Sequence, residues 1–145
     1  MRESTLMKTV LEICGRDSRY TPDSYFFVLE ALEFTLKMLD KPSKSGRERH
    51  LSGQELLEGI RNFALQEFGP MSLRVLNTWG VNNTADFGEI VFNLVECGKL
   101  RKTEEDSRQD FLDGYDFEEA FKKPFEPRGK EPDRKADKRG AGRNG

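Results

Sequence analysis

Only two cysteines and one histidine occur among the 145 residues, and that scarcity removes several chemistries at once. With His50 alone, neither a histidine-centred triad nor a histidine metal cluster can be assembled. Cys14 and Cys97 have no further Cys or His at ligand spacing, so buried free thiols are expected ahead of a disulfide. No glycine-rich loop with a following Lys is present to cradle a phosphate. The acidic run Asp106, Asp110, Asp113 and Asp116 does not fit a calcium-binding EF-hand loop, and Gly114 is misplaced for one. Apolar runs fall far short of the roughly 20 residues that a bilayer-crossing helix needs. Arg2, Glu3, Lys8 and Glu12 break up the first 14 residues, which therefore lack the apolar core of a secretory signal. These absences lead to the expectation of a cytoplasmic, non-enzymatic protein without cofactor, metal or membrane contact.

What is present is charge, and it is unevenly placed. Charged residues make up 34% of the chain against 35% hydrophobic, a balance that suits one soluble domain with a heavily charged surface. Residues 122–145 hold nine Lys/Arg and four Asp/Glu, a net +5, which leaves −7 on the first 121 residues. An acidic body therefore carries a basic tail. Beyond Pro124 the tail has one apolar side chain larger than Ala, Phe125, too little to offset the entropy of ordering, so disorder is expected over 122–145.

Along the body, helical signals dominate. Ser4 is a candidate cap for a short first helix with Leu6, Val10 and Ile13 on one face and Gly15 at its end. Thr21-Pro22 opens a second helix whose apolar residues (Tyr25, Phe26, Val28, Leu29, Leu32, Leu36 and Leu39) cover more than one face, which predicts a central position. Lys41 to His50 has no periodicity and reads as an exposed basic loop. Ser52 and Glu55 form a capping box for a third helix carrying Leu56, Leu57, Ile60, Phe63 and Ala64 and closed by Gly69. Pro70 starts a fourth, with Met71, Val75, Leu76 and Trp79 as core candidates and Gly80 supplying the positive φ that ends it. A fifth, capped by Asn83 or Thr84, places Phe87, Ile90, Val91, Leu94 and Val95 at the spacing of an amphipathic helix. Gly88 within it suggests a close approach. Lys99–Thr103 is a strand candidate, Phe111–Phe117 is a second strand or an irregular segment, and Asp116 with Glu119 offers a second capping box that would insert Phe117, Ala120 and Phe121.

The expected fold is mainly α with an α+β element: five to six helices in one domain over residues 1–121, followed by the disordered tail. From Pro70 to Phe117 the order helix, tight turn, amphipathic helix, strand, loop, strand resembles a winged helix-turn-helix. The charges oppose DNA reading. With the apolar stripe turned inward, the outward stripe of the fifth helix is Asp86, Glu89, Asn93 and Glu96, whereas phosphate binding draws on Lys and Arg. The phrases SGQELLEGIR, FGPMSLRVLNTWGV, TADFGEIVFNLVECGKL and DFLDGYDFEEAF together resemble a small conserved family of bacterial proteins of the planctomycete and verrucomicrobium lineages. That resemblance implies a bacterial, cytoplasmic protein and brings with it no activity, cofactor or catalytic residue.

Two functional expectations follow. The first is a protein-interaction module that presents Asp86, Glu89, Asn93 and Glu96 to an unknown protein partner. The alternative is a protein associated with DNA, RNA or the ribosome. In that case Arg47 and Arg49 of the basic loop, with Lys130, Arg134, Lys135, Lys138 and Arg139 of the tail, would contact phosphates.

Overall fold

Thr21 and Pro22 open the helix on which the others pack. In the computed structural model, which describes residues 2–39, 51–100, 108–112 and 114–127, that helix is α2, Pro22–Met38. It lies against α1 (Arg2–Arg16), α3 (Gly53–Phe68) and α5 (Thr84–Glu96). The chain between α3 and α5 forms a 3-10 turn, Gly69–Met71, and the short helix α4, Ser72–Thr78. After α5 come a 3-10 turn at Arg108–Phe111, a π-helical turn at Glu118–Lys122 and a 3-10 turn at Lys123–Phe125. No described helix is long and apolar enough to cross a membrane.

Local signals set most of these boundaries. Ser52 Oγ accepts a hydrogen bond from Glu55 N and Ser52 N donates to Glu55 Oε1, each at 3.0 Å, so the capping box of α3 is complete. At α5 the Asn83 side chain accepts from Asp86 N. Asp116 makes only half of the second box, accepting from Glu119 N, while the Glu119 carboxylate turns to Lys123. Two ends differ from expectation. Helix α1 begins before Ser4 and runs through Gly15 to Arg16, because its final turn is held by Asp17 N donating to Ile13 O at 2.8 Å.

The core runs through Val10, Ile13, Tyr25, Phe27, Val28, Ile60, Leu76, Phe87, Ile90, Leu94 and Phe121. On α2, apolar residues on nearly every side leave the facing direction open, and tertiary packing selects Phe27. The Phe27 ring meets those of Phe63, Phe68 and Trp79 at centroid distances of 5.4–5.6 Å. Leu39 and Met71, both expected inside, are exposed. Val91 and Trp79 are half-buried rather than fully enclosed. Gly88 is a point of close approach, met by the Phe111 ring rather than by another helix.

No strand occurs among the described residues, which corrects the α+β expectation. Phe111 closes a 3-10 turn instead of opening a strand, because its ring is drawn against α5 and its carbonyl accepts from Thr84 Oγ1 at 2.6 Å. Residues 101–107, where most of the other strand was expected, lie outside the described set, as do the basic loop and residues 128–145 of the tail. Phe117, Ala120 and Phe121 are inserted as expected.

Candidate functional site

The polar side of α5 is spent on holding the fold together. The α1–α2 turn folds over it, placing Tyr20 in the interior with its hydroxyl donating to Asp86 Oδ1 at 2.6 Å. The other oxygen of Asp86 accepts from Asn82 N at 2.8 Å. Asn93 is buried, and its Nδ2 donates to Tyr25 Oη at 3.0 Å and to Asp17 Oδ2 at 3.1 Å. Arg19 grips Asp17 through two bonds of 2.9 and 2.7 Å and reaches Glu89 at 3.3 Å. Glu89 is also paired with Arg108 at 3.5 Å.

The predicted partner face therefore does not stand free. Asp86, Glu89 and Asn93 are tied to the α1–α2 turn or to Arg108, and Glu96 alone of the four is exposed. Polar type and spacing led to an outward assignment, but the Tyr25 hydroxyl of α2 and the Asp17 carboxylate of the α1–α2 turn draw Asn93 inward. Cys14 and Cys97 are free and half-buried, less enclosed than expected. Arg16 Nη2 sits 3.2 Å from the Cys97 sulfur at the helix end. Arg47, Arg49, Lys130, Arg134, Lys135, Lys138 and Arg139 lie outside the described residues.

This network gives the protein a defined pH response. Hydrogen bonding by Arg19, then by Asn93, holds the Asp17 carboxyl well below the usual carboxylate range against the opposing effect of burial. Burial pushes the Tyr20, Tyr25 and Tyr115 hydroxyls up, helped at Tyr20 by the bond to Asp86. A depressed acid stabilises the fold fully above its unfolded value near 4, and that contribution is lost as the pH falls through its folded value. A raised tyrosine contributes fully below its unfolded value near 10 and loses that contribution as the pH climbs past it. Thermal unfolding followed by circular dichroism should show a plateau between about pH 5 and pH 9, falling on both sides. Asp17→Asn should lower the plateau and make the acid side shallower; an unchanged acid side would mean that other carboxylates govern it.

A second feature lies on the opposite end of the chain order. Between α4 and the C-terminal turns is an open groove of about 680 Å³, a volume within the usual range for binding clefts. Pro70, Leu73, Phe125 and Pro127 supply its apolar lining with the fully buried Phe121 behind them, and Arg74 and Lys122 stand on it. The groove's C-terminal wall is anchored by aromatic packing. Phe121 meets Phe117 at 5.0 Å and Tyr115 at 5.9 Å, edge to face, and the Tyr115 hydroxyl donates to Leu57 O at 2.8 Å. Phe125 remains exposed within it. Arg74 and Lys122 make no ion pair among the described residues.

Sequence reading missed this groove, although one signal pointed to it: Phe125 is the single large apolar side chain past Pro124. Among the described residues no cluster of three or more His, Cys, Asp or Glu could hold a metal ion. Compared with family models, with curated proteins and with solved structures, the chain matches none of them.

Proposed function

We propose that this chain is a non-enzymatic, cytoplasmic protein-interaction module that receives a segment of a protein partner in the groove between α4 and the C-terminal turns. The observation that carries this reading is the apolar lining of that groove, with Phe125 left facing solvent on a surface backed by packed aromatic rings. Apolar groups held open on a rigid wall mark a place where a partner gains from burial. The reading moves the partner site away from Asp86, Glu89 and Asn93, whose side chains are engaged internally. A photo-crosslinking phenylalanine analogue at position 125, compared with one at the exposed Leu11 of α1, tests it in a lysate of the source cells. A discrete protein adduct from position 125 that is absent from position 11 is the expected result. Identical adducts from both positions would remove the groove from consideration.

The net charge of +5 over residues 122–145 favours a second reading, association with nucleic acid through the tail. In that case the adducts from position 125 would contain RNA or DNA and would disappear on nuclease treatment.

A further inference from the structure

We infer that the occupant of the groove is an acidic amphipathic segment of a protein partner, with apolar anchors on one side and carboxylates on the other. This rests on the reading of the chain as an interaction module. The apolar half of the argument comes from Pro70, Leu73, Phe125 and Pro127, which line the groove in front of the fully buried Phe121 and can receive the apolar side of an amphipathic segment. The charge half comes from Arg74 and Lys122, two cations without an ion-pair partner among the described residues, against the single carboxylate Glu126 on the same lining. Residues 128–145, which follow the last lining residue in the sequence, contain seven Lys/Arg and three Asp/Glu, a net +4.

The same composition argues that the tail is not the occupant. Apart from Pro132, residues 128–145 hold no apolar side chain larger than Ala, so they offer little to fill a groove lined by Leu, Phe and Pro. Their positive charge would also be brought against Arg74 and Lys122. A partner with carboxylates meets both Arg74 and Lys122, and electrostatic complementarity of this kind chiefly raises the rate of encounter and selects among partners.

The test uses the full chain and three synthetic 14-residue peptides, with binding followed by backbone amide shifts in two-dimensional NMR. The first peptide carries Leu and Phe at helical i, i+3, i+4, i+7 spacing among Glu residues. In the second the apolar positions are Ser, and in the third Lys replaces Glu. The first should bind saturably with shifts confined to residues 70–78 and 121–127, and at least about tenfold more tightly than either control. Arg74→Glu with Lys122→Glu should weaken it by about tenfold, as should Phe125→Ser, while each variant keeps the amide spectrum of the folded chain. Equal binding of the Ser peptide, or shifts elsewhere on the body, would overturn the inference by showing attraction to charge alone. Tighter binding of the Lys peptide in the groove would overturn the acidic partner while leaving the interaction module standing. A protein adduct from position 125 with no binding of any of the three peptides would do the same.

Discussion

Replacing Gly80 by alanine should lower the melting temperature by roughly 10 °C or more, the largest effect expected of any single methyl group in the chain. Two costs act together there. Gly80 has φ of +95°, outside the region an L side chain occupies comfortably, which alone costs on the order of 1–3 kcal/mol. A Cβ would also collide with the backbone carbonyl oxygen of Arg19, which has no flexible end to swing aside. Relief requires the α1–α2 turn to move off the α4–α5 turn. That movement would stretch the bond from Thr21 N to Trp79 O and withdraw Tyr20 from Asp86. Together these losses should reach about 4 kcal/mol, at the high end for single substitutions. Gly15→Ala is the control, because a Cβ there meets nothing within 4 Å. It should be neutral or slightly stabilising, by up to about 1 kcal/mol. A Gly80→Ala protein that melts within a degree or two of the parent would show that the two turns are not locked as described.

The second large effect is expected at Gly59→Ala, where helix propensity and packing oppose each other. In an exposed helix interior, alanine is favoured over glycine by about 1 kcal/mol. Here α3 crosses α2 so closely that a Cβ would overlap the Thr35 hydroxyl and lie 2.6 Å from Thr35 Cβ. Thr35 is itself buried and donates its hydroxyl to Ala31 O at 2.6 Å, so it cannot rotate away without losing that bond. Overpacking of this kind costs about 1–3 kcal/mol and here exceeds the propensity gain, because the α2–α3 contact is the most extensive in the fold. The net should be about 2 kcal/mol of destabilisation, measured by urea unfolding. Adding Thr35→Ala should recover part of it, since two residues in contact couple non-additively. If the double variant is simply the sum of its parts, the crossing is looser than the contacts imply.

The elements that sequence reasoning placed well are those decided within a few residues. The Ser52–Glu55 box, the Asn83 cap, Pro22 at the start of α2 and Gly80 at the end of α4 are all short-range events. The apolar stripe of α5 likewise fixed Phe87, Ile90 and Leu94 in the interior. What was not legible depends on which distant segment arrives. Nothing near Asn93 announces Tyr25 and Asp17, 68 and 76 residues away, yet these partners bury it. Phe26 and Phe27 are equally apolar neighbours, and only the arrival of Phe63, Phe68 and Trp79 distinguishes them. For Phe111–Phe117 the sequence leaves a strand and an irregular segment open, and it is the arrival of Thr84, bonded to the Phe111 carbonyl, that decides for a turn against α5. The groove needed α4 and the C-terminal turns to be brought side by side, an arrangement no local pattern encodes.

The two interlocked turns also shape the route by which the chain reaches its fold. Tyr20 and Asp86 are 66 residues apart, so joining them closes a loop whose entropy costs about 4 kcal/mol, on the (3/2)RT ln n scaling. Helices α2, α3 and α5 rest on bonds between residues a few positions apart, whereas the contacts between residues 19–21 and 79–86 join segments far apart in the chain. Small helical proteins owe their speed to local contacts, and this one places a clasp between distant segments on top of them. The logarithm has a second consequence. Doubling the length of that loop adds only about 0.6 kcal/mol, so an insertion between α2 and α3 would scarcely burden the closure. The methyl group of an alanine at position 80 would weigh on it far more heavily.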